Sequence, residues 1–110
     1  MADLSELIPT YLSANTQTDV TGNGANGMPA ASAGTYTLNL CNDSDAEVVI
    51  SAIYLTKGEA PTQAHKIHPS HSVEGRGYSL IQPIKIGAGW KLFVTASGPI
   101  SAQLIGRKEG

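Results

Sequence analysis

The chain has 110 residues, a net charge of −2 and a pI near 5.8, with 41% apolar and 15% charged residues. That length allows one domain, and the charge leaves no basic field to hold nucleic acid or an anionic membrane. No apolar run reaches the roughly 18 residues a membrane span needs, the N-terminus lacks a signal-peptide pattern, and a single cysteine excludes an internal disulfide framework and a multi-Cys zinc site.

Residues 1–34 differ in kind from the rest, because they hold Asp3, Glu6 and Asp19 and none of the seven basic residues. Leu4, Leu7 and Ile8 are spaced to share one face of a helical turn, which Asp3 can cap and Pro9 ends. Tyr11 and Leu12 extend the same apolar cluster. Residues 13–34 are rich in Asn, Thr, Gly, Ala and Ser, with only Val20 and Met28 as sizeable apolar groups. Such a stretch buries too little surface to offset its ordering entropy and is expected to be flexible. The pattern predicts an extended N-terminal arm with a sticky tip, which docks on a neighbour or folds back on its own domain.

From residue 35 the chain reads as strands. Tyr36, Leu38 and Leu40 alternate with polar residues, the period of a half-buried strand. A polar turn at residues 42–45 precedes a β-branched run at 48–55, and a weaker strand at 63–68 stops at Pro69. The segment 78–86 is aliphatic, but Pro83 limits it to a sheet edge or a bulge. Gly87-Ala88-Gly89 leads into a strand on which Trp90, Leu92 and Val94 share one face, and Gly98-Pro99 turns the chain into a last strand at 100–105. Short strands at this spacing predict an all-β fold over residues 35–110, a small antiparallel β-sandwich or jelly-roll-like barrel. A core this small, with edge strands that need cover, points to a homo-oligomer.

Motifs that carry chemistry are sparse. Gly22-Asn23-Gly24-Ala25-Asn26-Gly27 spells a dinucleotide fingerprint, yet no strand precedes it and no helix follows, so nucleotide binding is not expected. His65, His68 and His71 stand three apart, but on a strand His65 and His68 point to opposite faces, so no metal is predicted. Cys41 ends an apolar strand with no basic neighbour to lower its pKa, and one cysteine suits a reducing cytoplasm. Asp43, Asp45 and Glu47 lack the ligand number and the glycine of a calcium loop and read as a solvated turn. Asn42-Asp43-Ser44 matches a glycosylation acceptor of no consequence without secretion. Tyr36, Tyr54, Tyr78 and Trp90 could stack on sugar rings, although within strands they more often pack. Nothing pairs a nucleophile with a base, so neither an enzyme nor a cofactor is expected.

Residues 35–107 resemble small virion proteins of tailed bacteriophages. The features that carry the resemblance are a strand ending in Leu40-Cys41-Asn42, the strand at 48–55, the Gly87-Ala88-Gly89 turn into Trp90-Lys91-Leu92-Phe93-Val94, and the alternating segment 100–106. The arm and Gly75-Arg76-Gly77 fall outside it. The resemblance implies a non-enzymatic virion component, assembled in the host cytoplasm, whose partner is the major capsid protein or another lattice protein. The expectation is a capsid decoration (cement) protein, trimeric, that docks through Leu4, Leu7, Ile8, Tyr11 and Leu12. The alternatives are a neck, tail or fibre component and, from another class, a carbohydrate-binding module.

Overall fold

The computed structural model describes residues 10–21, 28, 33–57 and 61–108. Leu4, Leu7 and Ile8, the predicted tip of the arm, lie outside the described residues. The described residues form nine strands: β1 (Thr10–Leu12), β2 (Thr18–Asp19), β3 (Gly34–Cys41), β4 (Val48–Thr56), β5 (Lys66–His68), β6 (His71–Val73), β7 (Tyr78–Ile86), β8 (Lys91–Ala96) and β9 (Ile100–Lys108). A 3-10 turn at Gln63–His65 precedes β5, and there is no α-helix among the described residues.

The strands pair as a nest. β1 lies antiparallel to β9, β2 to β8, β3 to β7, and β4 to both β5 and β6. The chain is therefore one long antiparallel ribbon doubled back on itself. Rolling the ribbon adds the pairs β3 with β9 and β4 with β8. The result is a four-stranded sheet in the order β1-β9-β3-β7 facing a five-stranded sheet in the order β2-β8-β4-β5, with β6 also on β4. This is a jelly-roll sandwich, the all-β class expected from strand spacing.

The core lies between the sheets and follows the period-2 alternation of the strands. β3 contributes Tyr36, Leu38 and Leu40, β8 contributes Leu92, Val94 and Ala96, and β9 contributes Ile100, Ala102 and Leu104. Pro83 acts as its sequence suggested. β7 is an edge strand, and the β3–β7 register shifts between Tyr36 and Leu38, opposite the proline. The other long edge is interrupted between β5 and β6 at Pro69-Ser70, while β1 and β2 are three and two residues long. Short or proline-bearing edges resist strand addition, while β1 covers only Ile100–Ala102 of β9.

The division at Gly34 does not hold for the described part of the N-terminal segment. β1 completes one sheet and β2 the other, and Leu12, Val20 and Met28 all belong to the buried core. These three side chains come at intervals of eight residues. Backbone hydrogen bonds hold the described positions around them. The amides of Asn15, Val20 and Met28 donate to the carbonyls of Ala96, Leu92 and Trp90, and the Gly89 amide donates to the Met28 carbonyl. Asp19 Oδ1 also accepts from the amide and hydroxyl of Thr21. Asn15 turns the chain from one sheet to the other with a φ of 56°, a left-handed conformation that Asn tolerates better than most residues. Composition predicted flexibility because it counts apolar residues, whereas the ordering here comes from main-chain pairing with strands already in place.

Leu12 is accordingly not a docking contact. Its side chain is fully buried in the chain's own core, while that of its neighbour Tyr11 is 70% exposed. Leu12→Ala should lower the unfolding free energy by about 2–5 kcal/mol. Tyr11→Ala should change it by about 0.5 kcal/mol or less, as for most exposed positions. Urea denaturation of the two variants separates core from surface at adjacent residues.

Candidate interaction face

Two turns at one end of the sandwich fix the ends of β3 and β7. Asn42, 1% exposed, is their hub. Its Nδ2 donates to the carbonyls of Ala46 (2.8 Å), Val73 (3.1 Å) and Glu74 (3.1 Å), and its Oδ1 accepts from the amide and hydroxyl of Ser44. The Asn42 amide itself donates to the Gly77 carbonyl. Arg76 holds a left-handed φ of 60° because its amide donates to the Ser44 carbonyl (2.8 Å) and its guanidinium reaches Asp45 (2.9 Å) and Asp43 (3.1 Å). Gly75 passes so close to the Asp45 backbone that a Cβ there would overlap the Asp45 carbonyl oxygen. The turn predicted as merely solvated is thus a clamp between the two loops.

The clamp positions the outward face of the four-stranded sheet. Register places Tyr11 beside Ser101, Ser101 beside Cys41, and Cys41 beside Tyr78, one row across four strands. The next row is Gln103, Asn39 and Leu80, and beyond it lie Ile105 with Thr37, then Thr35 with Lys85. Tyr11 and Tyr78 are each 70% exposed, Leu80 51% and Ile105 39%. These are four of the five exposed large apolar side chains among the described residues, so exposure of this kind is concentrated on one face. Its other outward residues are Ser, Thr, Asn, Gln and Cys, and the one described charged side chain on it is Lys85 at the far end. Thr37 and Gln82 are joined by a 2.8 Å hydrogen bond across the bulge. Beside the first row, a pocket of about 230 Å³ opens between Tyr11 and the Asp43-Ser44 turn, lined also by Cys41, Ile100 and Ser101.

The opposite sheet is better covered. Its outward Tyr54 and Phe93 stand side by side, both half-buried, with the Lys66 ammonium 5.9 Å from the Tyr54 ring centre. Ile67 is its one strongly exposed aliphatic residue among those described.

The residues singled out from sequence distribute as follows. Tyr36 is core, Trp90 packs partly buried against the core with its ring across Gly87, and Tyr78 is free to stack. Cys41 is exposed at the end of β3. His65 Nδ1 accepts from the Thr62 amide (3.0 Å) and closes the 3-10 turn. His68 and His71 meet edge to face at 4.6 Å, and His71 Nε2 lies 3.1 Å from the Ser79 hydroxyl. Among the described residues, no three His, Cys, Asp or Glu side chains converge as a metal site would need. No described helix is long and apolar enough to cross a membrane. Residues 22–27, with their glycine fingerprint, lie outside the described residues.

Sequence reasoning passed over Leu80 and Ile105, although a signal was present. Leu80-Ile81 and Leu104-Ile105 are adjacent aliphatic pairs in alternating strands, and neighbours on a strand point to opposite faces. One member of each pair must therefore face outward. Comparisons with protein-family models, with curated proteins and with solved structures find no match to this chain.

Proposed function

We propose that the chain is a non-enzymatic virion structural protein of the capsid-decoration type, which assembles through protein contacts on its four-stranded sheet. The observation that carries this reading is the outward face with Tyr11, Tyr78, Leu80 and Ile105 exposed and a single described charge. Aromatic enrichment with charge depletion is the composition of the buried centre of a protein interface. The jelly roll adds fold-level analogy, since viral shell proteins use it, but so do lectin domains and cupins. Of the residues first given a docking role, Tyr11 is the described one that is exposed, and it lies on this face.

Quantitative mass spectrometry of purified virions tests the reading. Copies on the scale of the capsid lattice are expected. A few copies to a few dozen would move the protein to the neck, tail or fibre, and its absence from virions would end the proposal.

One observation favours a second reading. Tyr11 and Tyr78 stand at the two ends of one row, with a pocket of about 230 Å³ beside Tyr11. That volume is below the roughly 300–1,000 Å³ of most small-molecule sites but leaves room for a single sugar ring on the Tyr11 face. Chemical-shift changes at Tyr11 and Ser101 on adding neutral mono- and oligosaccharides would support this reading. A spectrum unmoved by a broad sugar panel would remove it.

A further inference from the structure

Charge on the four-stranded sheet is separated along the strands. At the end bearing Tyr11 and Tyr78 the two clamped turns carry Asp43, Asp45, Glu47 and Glu74 against one cation, Arg76. At the other end, register brings Thr35 level with Lys85 on β7, the described cation of that end. Between them lies the uncharged stretch with Tyr78, Leu80 and Ile105. A face that is acidic at one end, basic at the other and apolar in the middle is complementary to itself when turned end for end.

We infer that the partner on this face is a second copy of the chain, packed face to face about a two-fold axis that runs across the strands. This rests on the reading of the face as a protein-assembly surface. Charge selects the axis. A two-fold along the strands would stack acidic turns on acidic turns, whereas one across them sets the acidic turns of each copy over the Lys85 end of the other. The same operation lays Tyr78 near Lys85 of the partner copy, where a ring face meets an ammonium. Such an interface is isologous, so every contact occurs twice. Strands at about 4.8 Å and residues at about 3.3 Å give a face roughly 15–19 Å by 26 Å, about 400–500 Å² in plan. That is the scale of a weak, concentration-dependent pair and falls short of the roughly 800 Å² per partner of a standard stable interface. A two-fold pair is a different assembly from the trimer expected with the decoration reading.

Sedimentation equilibrium of the full chain across micromolar concentrations should give a dimer whose dissociation constant rises with salt. Leu80→Lys puts a charge at the centre of the face without touching the core, and should raise that constant about tenfold or more at an unchanged melting temperature. Lys85→Glu and Glu74→Lys should each weaken self-association. Mixing these two variants should restore it, because in the mixed pair both copies of the 74–85 contact regain opposite charges. A monomer, a trimer, a dimer indifferent to Leu80→Lys, or a mixture no tighter than its components would overturn the proposal. Virion incorporation of Leu80→Lys separates the two failures. Incorporation lost with self-association unchanged leaves the assembly reading intact and removes the self-pairing, whereas no change in either removes both.

Discussion

A chain cut back to residues 35–110 will not hold the sandwich, and its circular dichroism and amide dispersion should be those of an unfolded or aggregating polypeptide. The cut removes β1 from one sheet and β2 from the other, and takes Leu12, Val20 and Met28 out of the core. Each large side chain contributes about 1.5–3 kcal/mol by burial, so the three together represent about 4–9 kcal/mol. A domain of this size has only about 5–15 kcal/mol in total. The cut also bares the edges of β8 and β9 opposite the lost strands, which invites pairing with other chains. A shortened chain that melts cooperatively near the temperature of the full chain would show that the N-terminal segment is an appendage after all.

Asn42 should be the most sensitive polar position. Asn42→Ala is expected to reduce stability by about 1–3 kcal/mol, because it removes the buried donor shared by the carbonyls of Ala46, Val73 and Glu74 and frees the Ser44 amide, while the Ser44 hydroxyl still reaches the Ala46 carbonyl and the Gly77 amide that of Glu74. Asn42→Asp keeps the shape and should be worse at neutral pH. It replaces the Nδ2 donor by an oxygen facing those three carbonyls and buries a charge beside them. Ser44→Ala, at an exposed position, should lose about 1 kcal/mol or less. Urea denaturation of the three variants checks the order Asp, Ala, Ser44. If Asn42→Ala matched Ser44→Ala, the hub would contribute nothing beyond an ordinary turn. The role matters for function as well, since Asn42 ties together the turns that hold the Cys41 and Tyr78 end of the face. It belongs to the Leu40-Cys41-Asn42 run on which the virion resemblance rests, and its described contacts are structural.

The two candidate sites differed in legibility. Of the predicted apolar tip only Tyr11 and Leu12 are described, and Leu12 was misassigned. Leu12 faces inward and Tyr11 outward, and only the pairing of β1 with β9 separates them. The sheet face was legible in principle from Leu80-Ile81 and Leu104-Ile105, where alternation forces one aliphatic residue outward on each strand. That these two residues, with Tyr11 and Tyr78, share one surface could not be read, because β1 joins β9 from the other end of the chain and β7 reaches β9 only across β3.

By itself the sequence determined the all-β class, the positions of most strands, the edge placement of the Pro83 strand and the inward set of β3 and β8. Each follows from contacts within a few residues: period-2 alternation, β-branched side chains, glycine and proline at turns. Tertiary structure alone decided the nested strand order, the recruitment of Leu12, Val20 and Met28, and the gathering of exposed tyrosines and aliphatics on one nearly uncharged face. Those features depend on hydrogen bonds between strands up to about ninety residues apart, such as Thr10 with Ala102. Local propensity is the same for every way of pairing such strands, and only the requirement that all inward faces close on one another selects among them.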